Sequence, residues 1–325
     1  MKLVKTLITV SSISTSSGPS YGVYYNGKIY IVAQSANQLQ VISNNSVIKT
    51  ITLPSYPPAV PFKVTECNGD FYIVYQKGPE INSNGDVIKV FRLPNTGKFP
   101  EICSADGYVI VTASDGNKVY FIKNGIVHNV TVMPSPQGLA YDVATNVIYG
   151  ISLKDFKIVY NFTLNESGMD TMTFVPPDEI AVATYDQQVF FLNATTGKVI
   201  AITTLPVGDA GINGYSQIVY IPYDGLVAIS LAHNNDQVAL INGSIVALVT
   251  VGNAPNGIVY DPQNHQLYVM DYASNEVSYF SPPPPQTTYS TTKIQSPSLL
   301  PYMTIIVVAI VIVVVGSLLI RGRKI

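Results

Sequence analysis

A unit of about 40 residues recurs along this chain and limits its possible folds more than any other feature. The most regular copy runs from Val246 to Phe280 and contains four short runs rich in Val, Ile, Leu and Tyr, with Gly, Pro, Asn or Asp between them. The first group of residues favours strands and the second favours turns. The first strand of each unit is centred on an apolar residue, and these seven residues lie 33 to 46 positions apart: Val23, Val64, Ile102, Leu139, Met172, Ile218 and Ile258.

Most units continue with a second, a third and a fourth strand-forming run. The second run is the clearest, and the sequence predicts it at Lys28–Ala33, Asp70–Gln76, Tyr108–Ala113, Val147–Ser152, Glu179–Thr184, Leu226–Leu231 and Gln266–Asp271. Seven four-stranded units at this period are typical of a β-propeller, in which each unit forms one blade. We therefore expect an all-β, seven-bladed propeller over residues 1–281.

Two irregular units refine this prediction. The seventh unit has no fourth strand, because the chain turns to consecutive prolines after Phe280, whereas Lys5–Val10 matches the strand Val246–Val251. We expect Lys2–Val10 to fill the vacancy and close the ring, which removes open sheet edges. In the fourth unit, only 14 residues separate Ile158 from Met172, which predicts a blade with a short or absent outer strand.

The C-terminal region predicts a membrane anchor. Residues 282–298 are rich in Pro, Ser and Thr and predict a short stalk. Leu299–Ile320 has 22 residues without charge, which as a helix would span about 33 Å, enough to cross a lipid bilayer. The basic tail 321–325 follows and predicts a cytoplasmic C-terminus with the propeller outside. The start of the chain makes a poor signal peptide, so we leave open whether a signal was removed or the protein is inserted by its tail.

Composition narrows the class of partner. The net charge is −2 and no basic stripe is present, which argues against nucleic acid. An exported propeller could carry sugars at six Asn-x-Ser/Thr sequons, although some of these asparagines could instead serve turns: Asn44, Asn129, Asn161, Asn165, Asn193 and Asn242. Cys67 and Cys103 occupy similar places in successive units, and they could form a disulfide or be two small buried residues.

No known catalytic motif is present in the sequence. The three histidines, His128, His233 and His265, fall in different units, and we expect exposed turn or edge positions for them. Acidic residues recur near the ends of first strands, where turn formation explains them better than metal binding: Glu66, Asp142, Asp178, Asp224 and Asp261. We therefore expect neither a cofactor nor a metal.

The best candidates for ligand binding are defined by their place in the repeat. First strands line the channel of a propeller, and the loops that lead into them crowd one mouth. Two positions before the first-strand centres lie aromatic, amide and acidic residues, and Tyr215 lies in a long connection beside them. The sequence thus predicts a ligand-binding rim at this mouth, which includes Tyr21, Phe62, Gln137, Asp170, Tyr215, Ser216 and Asn256.

The repeat resembles that of the YVTN β-propeller family. The resemblance rests on Val251-Gly252, on Pro255-Asn-Gly257, on Tyr268-Val-Met-Asp271 and on Ser274-Asn-Glu-Val277, with a second good copy near residues 19–39. Several other units depart strongly from the pattern. The resemblance implies a seven-bladed propeller of the kind found in prokaryotic and archaeal surface proteins, and it implies no single activity.

The sequence therefore favours a surface-exposed, membrane-anchored propeller that binds protein or glycan partners in adhesion or in the assembly of a cell or virion envelope. One alternative is a membrane-tethered propeller enzyme, similar to lactonases or lyases. Another is a purely structural, glycosylated coat component.

Overall fold

The structure is a computed structural model that describes residues 8–55, 58–76, 80–83, 87–91, 93–94, 96–97, 100–132, 136, 138–142, 147–148, 151–152, 154, 169–206, 216–232 and 236–283. Within these ranges no helix is long and apolar enough to cross a membrane. The predicted stalk beyond residue 283, the membrane helix Leu299–Ile320 and the basic tail lie outside the described residues, so they remain predictions.

The described strands pair into seven antiparallel sheets, one for each sequence unit, and this confirms the predicted all-β propeller. Six sheets have four strands and the fourth has three. The first three blades consist of β2 (Pro19–Tyr25), β3 (Lys28–Ala33), β4 (Gln38–Ser43) and β5 (Ser46–Thr52); of β6 (Val60–Cys67), β7 (Asp70–Gln76), β8 (Glu80–Ser83) and β9 (Val87–Phe91); and of β10 (Ile102–Ala105), β11 (Tyr108–Ala113), β12 (Lys118–Lys123) and β13 (Ile126–Thr131), with a 3-10 turn at Ser114–Gly116. Blades four and five consist of β14 (Tyr141–Asp142), β15 (Val147–Ile148) and β16 (Ile151–Ser152), and of β17 (Met169–Val175), β18 (Glu179–Thr184), β19 (Gln188–Asn193) and β20 (Val199–Thr204). Blades six and seven consist of β21 (Ile218–Ile221), β22 (Leu226–Leu231), β23 (Gln237–Ile241) and β24 (Ile245–Thr250), and of β25 (Pro255–Asp261), β26 (Gln266–Asp271), β27 (Glu276–Phe280) and β1 (Ser11–Ser14).

The hydrophobic core lies between successive blades. Side chains alternate between the two faces of a strand, so each sheet packs one set of residues on the blade before it and the other set on the blade after it. Blades seven and one meet closely at their innermost strands, where a Cβ atom on Gly257 would lie 2.5 Å from the carbonyl oxygen of Ser20. Glycine is therefore required at this point of closest approach.

The ring is closed by the N-terminal strand, although not by the predicted residues. Strand β1 pairs with β27 over Ser11–Ser14, with Ile13 opposite Val277. The predicted range Lys2–Val10 was wrong, because the strand that closes the ring begins at Ser11. Ile8 and Val10 instead pack against the core between blades six and seven, and residues 1–7 lie outside the described residues. The prediction followed the most apolar run, but an outer strand buries only one face. In β1 only Ile13 is buried.

The fourth blade agrees with the expectation of an irregular unit as far as it is described. Its three strands have two residues each. The prediction of one strand over Val147–Ser152 was wrong, because its two ends form β15 and β16, which pair with each other in antiparallel fashion. The segment 155–168 lies outside the described residues. The prediction of a short or absent outer strand therefore stays open, as do the sequons at Asn161 and Asn165.

The two cysteines are free thiols, so the structure favours the second of the two interpretations offered by the sequence. Cys67 packs with Val74 and Val111 between blades two and three. Cys103 packs with Ile110 and residues of blade four, on the opposite face of the blade-three sheet. The two positions match along the repeat, but the alternation of β10 turns Cys103 away from blade two.

Candidate functional site at the two ends of the propeller

The strand order gives each blade two distinct ends. We call the end where the first strands begin the upper end, and the end where they turn back into the second strands the lower end. In an antiparallel sheet whose strands follow one another, the turns between second and third strands lie at the upper end. The turns between third and fourth strands lie at the lower end, at the outer edge of the blade.

The predicted binding residues that the structure describes lie at the upper end, and four of them fall in β-bulges. The pairing with the second strand shifts register between Pro19 and Gly22, between Pro61 and Lys63, between Met169 and Thr171, and between Pro255 and Ile258. Bulges re-aim side chains and are common beside functional sites. The bulges contain Tyr21, Phe62, Asp170 and Asn256, respectively.

These side chains are buried instead of exposed at a rim. Tyr21 is 1% exposed and Phe62 is fully buried, and their rings meet edge to face at a centroid distance of 4.8 Å. The ammonium of Lys63 lies 3.9 Å from the centroid of the Tyr21 ring and forms an ion pair with Glu101. This part of the predicted site therefore holds blades one, two and three together and offers little surface to a partner.

The other predicted rim residues follow the same pattern where they are described. Asp170, Ser216 and Asn256 are all buried, whereas Gln137 and Tyr215 lie outside the described residues. Hydroxyl groups fix the bulges across blade boundaries. Ser20 Oγ donates to the carbonyl oxygen of Phe62 at 2.9 Å, and Ser230 Oγ donates to that of Asn256 at 2.5 Å. Sequence reasoning missed these serines, because Ser occurs throughout the chain.

The upper end of blade seven also contains a buried carboxylate. Asp271 ends β26, is fully buried, and accepts a hydrogen bond at 3.1 Å from the backbone amide of Ser278. Burial raises its pKa to about 7, against hydrogen bonds from Ser278 and Gly252 that lower it, and Glu276 adds to the rise. The hydrogen-bond donors to this carboxyl group therefore come from blade seven and from the segment that leads into it.

The lower end contains a cluster of polar side chains that was not expected. Asp224 lies in the turn between β21 and β22, and its carboxylate Oδ2 is 3.2 Å from Nε2 of His265 in the corresponding turn of blade seven. The other ring nitrogen, Nδ1, lies 2.9 Å from the hydroxyl of Tyr260. The ring of Tyr223 covers the imidazole at a centroid distance of 4.6 Å. A carboxylate, an imidazole and a phenol are therefore joined across a blade boundary.

The electrostatics of this cluster are unusual because the carboxylate has no exposed surface. The Asp224 side chain is 0% exposed and that of His265 is 28% exposed. Neither carboxylate oxygen accepts a hydrogen bond of good geometry from the described residues. Burial raises the pKa of Asp224, and the nearby His265 opposes the rise. Burial raises the pKa of Tyr260 too, with further contributions from Asp224 and Asp261.

Two of the other recurring acidic residues hold turns, as the sequence predicted. Asp261 accepts hydrogen bonds from the backbone amides of Gln263 and Asn264 at 2.8 and 3.3 Å. Glu66 accepts one from the amide of Gly69 at 2.5 Å. Asp178 lies in a turn and accepts a hydrogen bond from a side chain, and nothing is described of the Asp142 side chain. Among the five, Asp224 differs because its described partner belongs to another blade. Its position in the repeat gave no sign of this.

The histidines and the potential metal ligands complete the survey of chemical groups. His128 is exposed in the outer strand β13, as expected, and His233 lies outside the described residues. His265 occupies the predicted hairpin turn, with a φ of 52°, but its ring contacts Asp224 and Tyr260. No three His, Cys, Asp or Glu side chains within the described part of the chain are placed to share a metal ion.

The four sequons in the described ranges differ in their surroundings. Asn44 and Asn242 are exposed in lower-end turns between third and fourth strands, and Asn129 is exposed in an outer strand. Asn193 is only partly exposed, because its amide holds a turn. Its Oδ1 accepts from the amide of Thr196 at 2.8 Å, and its Nδ2 donates to Asp178 at 2.9 Å.

Comparison with known proteins supports the fold and leaves the activity open. No protein-family model matches the chain, and no curated protein matches its sequence. Among solved structures, the chain is similar to selenomethionine-substituted virginiamycin B lyase from Staphylococcus aureus, with 17% identity and a TM-score of 0.71 over 85% of this chain and 100% of the lyase. A catalytically inactive histidine-to-alanine variant of that lyase with quinupristin gives 16% identity and a TM-score of 0.68 over the same shares of both chains.

A protein of another kind has the same architecture. The WD40 β-propeller domain of Doa1 matches with 13% identity and a TM-score of 0.67, over 83% of this chain and 94% of that domain. At such identities the likeness shows a β-propeller and nothing finer. The YVTN resemblance is not confirmed by a family model, so it remains a hypothesis.

Proposed function

We propose that this chain is a membrane-anchored surface propeller that binds a protein or glycan partner in adhesion or envelope assembly. The anchor is the uncharged segment Leu299–Ile320, which would lie in the lipid bilayer with the basic tail in the cytoplasm. The propeller would stand outside on the Pro-rich stalk. Propellers serve both binding and catalytic roles, so the fold is compatible with this function without selecting it.

The observation that carries the proposal is the position of the accessible sequons. Asn44 and Asn242 lie in lower-end turns at the outer edge, and Asn129 lies on an outer strand. Sugars at these places would cover the periphery and the lower end. The upper end, where the first strands begin, would stay open to a partner. We therefore place the docking surface at the upper end, on its exposed turns instead of on the buried bulge residues.

Blades seven and one provide a described part of this surface. Ser35, in the turn between β3 and β4, lies 2.9 Å from the hydroxyl of Tyr272, in the turn between β26 and β27. Gly18, with a φ of 69°, leaves room for both side chains, since a Cβ there would lie 2.5 Å from Ser35 Oγ and 2.9 Å from the Tyr272 ring. A tyrosine held in this way is a rigid contact residue suited to an interface.

The docking surface can be tested by photo-crosslinking in the native envelope. A photoreactive residue at position 35 should capture a partner, whereas one at position 223, on the lower end, should not. A glycan array probed with the full chain tests a carbohydrate partner directly. In that assay Tyr272→Ala should weaken binding and Tyr223→Ala should not. Equal capture at both positions, with equal binding by both variants, would contradict the assignment of the upper end.

The membrane anchor and the glycosylation need separate tests. Full-length chain in host membranes should resist extraction by carbonate at high pH, and an external protease should release the propeller from intact cells. Peptide mass spectrometry should find sugar on Asn44, Asn129 and Asn242 more often than on Asn193. A chain that carbonate extracts, or that external protease does not reach, would rule out the proposed location.

A membrane-tethered enzyme is the second candidate, because the fold is shared with virginiamycin B lyase. It would require a reactive group in a solvent-accessible position at the upper end. Incubation of the full chain with lactones and cyclic depsipeptides, followed by mass spectrometry of the products, would detect ring opening. Ring opening that survives in a Tyr272→Ala variant defective in binding would favour the enzyme over the binding module.

A further inference from the structure

The exposed apolar side chains of the propeller are concentrated at the outer edges of its blades. Eight large apolar side chains are exposed in the described part of the chain, and six of them lie in four outer strands: Ile48 in β5, Ile126 and Val127 in β13, Val199 and Ile202 in β20, and Leu248 in β24. Each of these strands ends its sheet, so one of its two edges is not paired within the sheet. An apolar strand in this position favours pairing between copies of a protein.

The same four strands are the ones that have a sequon in them or directly before them. Asn44 and Asn242 lie in the turns that lead into β5 and β24. Asn129 lies within β13, and Asn193 ends β19 just before β20 begins. Strand β1, the outer strand of blade seven, contains no sequon, and its one apolar side chain, Ile13, is buried. The sequons of the described ranges therefore follow the outer strands that expose apolar side chains.

Strand β13 shows this relation most clearly. Ile126 is 60% exposed and Val127 is 39% exposed, and all but one of the six side chains in the strand are exposed. No Asp, Glu, Lys or Arg lies in β13 to discourage pairing, whereas β5 contains Lys49. Alternate residues of a strand point to the same face, about 7 Å apart. Asn129 therefore stands beside Val127, on the same face of an unprotected edge strand.

We propose that N-linked sugars on Asn44, Asn129 and Asn242 protect the apolar outer strands from edge-to-edge pairing with a second copy of this chain. The inference rests on the proposed function, since it requires an exported, glycosylated propeller. A bulky, hydrated sugar beside an edge strand fills the space that a pairing strand needs. Asn193 contributes less, because its side-chain amide already holds a turn.

The chemistry of β13 fits a second copy as the partner that the sugar excludes. Two β13 strands can pair in antiparallel fashion about a two-fold axis, which is the commonest symmetry of homo-oligomers. The strand has no side chain of fixed charge, so this pairing puts no like charges opposite each other. Anchoring in one membrane would raise the effective concentration of the copies, which makes protection of the edge more important.

The sequon of Asn129 can be removed without changing the asparagine. Thr131→Ala abolishes the sequon and Thr131→Ser keeps it, and both change the same exposed side chain. In a host that attaches N-linked sugars, full-length Thr131→Ala in mild detergent should have about twice the protein mass of Thr131→Ser by light scattering, as a two-fold pair requires. In a host that attaches no sugars, both variants should have the doubled mass.

A charge placed in the strand distinguishes pairing through β13 from other association. Val127→Lys, added to Thr131→Ala, should restore the mass of one copy, because a lysine on an edge strand opposes pairing. Tyr223→Lys, at a side chain that is 70% exposed in a turn, is the matched control and should not restore it. Restoration by both lysines would overturn the inference.

Peptide mass spectrometry of the same samples separates this inference from the proposed function. Sugar on Asn129 of Thr131→Ser, together with equal masses of Thr131→Ala and Thr131→Ser in the glycosylating host, would overturn the protective role and leave the proposed function intact. Absence of sugar from Asn44, Asn129 and Asn242 would overturn this inference together with the proposed glycosylation.

Discussion

Two buried carboxyl groups at opposite ends of the propeller both have a pKa that burial raises, but their partners differ. Asp271, at the upper end, receives a hydrogen bond from the amide of Ser278 within its own blade. Asp224, at the lower end, has its described contact with His265 of the next blade. Burial raises the pKa of both groups. The described hydrogen bond of Asp271 comes from its own sheet, whereas the described contact of Asp224 links two sheets.

The bulge residues extend this comparison of the two ends. At the upper end the side chains at the mouth pack tightly, so Phe62 has no exposed surface. At the lower end Tyr223 is 70% exposed. Position in the repeat suggested that the upper-end residues would bind a ligand, but those that the structure describes are buried.

The largest effect is expected from the upper-end packing. Phe62→Ala should lower the free energy of unfolding by about 3–5 kcal/mol, because a fully buried ring leaves a cavity between blades one and two. Tyr223→Ala at the lower end should change it by roughly 0.5 kcal/mol or less, since the ring is mostly exposed. Urea denaturation measures both values. Similar losses for the two variants would remove the distinction between a packed upper end and an open lower end.

The second largest effect on stability is expected from the strand that closes the ring. Ile13→Ala should destabilise the propeller by about 2–4 kcal/mol, because Ile13 is the buried residue that fixes β1 against blade seven. Ile48, 54% exposed in the outer strand of blade one, serves as the matched control, and Ile48→Ala should have little effect. If thermal melting is unchanged in Ile13→Ala, closure by Ser11–Ser14 does not support the ring.

Asp271 gives a pH-dependent effect of intermediate size. Its folded-state pKa of about 7 lies above the ordinary value of 3.8, so the folded protein holds the proton more tightly than the unfolded chain does. The contribution of Asp271 to stability is therefore fully present below about pH 4 and is lost as the pH rises towards 7. Asp271→Asn should raise the free energy of unfolding at pH 8 by about 2–3 kcal/mol.

The control for this prediction is the same variant in acid. At pH 4 the aspartate is protonated in the folded protein, so Asp271→Asn should bring almost no gain. Denaturation curves at the two pH values provide the test. A variant less stable than the wild type at pH 8 would show that the hydrogen bonds to the carboxylate outweigh the cost of its burial.

The smallest effect on stability is expected at the sequons, and it tests whether an asparagine there serves a turn or only offers a site for sugar. Asn193→Ala should cost about 1 kcal/mol, because the Asn193 side chain satisfies the backbone of a turn in the way that a helix cap does. Asn242→Ala, in the corresponding turn of blade six, should be close to neutral in unglycosylated protein. Equal stability of the two variants would mean that the Asn193 turn forms without its side chain.

Much of the architecture could be predicted because it depends on short, local sequence patterns. Six of the seven second strands have the predicted bounds, from Lys28–Ala33 in blade one to Gln266–Asp271 in blade seven, since β-branched runs between turn residues specify a strand without outside help. The closing strand lies at Ser11–Ser14 and not at the predicted Lys2–Val10, because an outer strand buries one face and here needs only the buried Ile13. The orientation of Cys103 depended on the alternation within β10, which position in the repeat does not reveal.

The sequence by itself determined the recurring unit, the class of fold and the need for a strand from the start of the chain. These follow from short-range patterns of apolar and turn-forming residues. Only the tertiary structure decided that Tyr21 and Phe62 are buried in bulges and that Asp224 meets His265. Burial and cross-blade contact depend on which sheets face each other. Residues 41 positions apart become neighbours only when the ring brings their blades side by side.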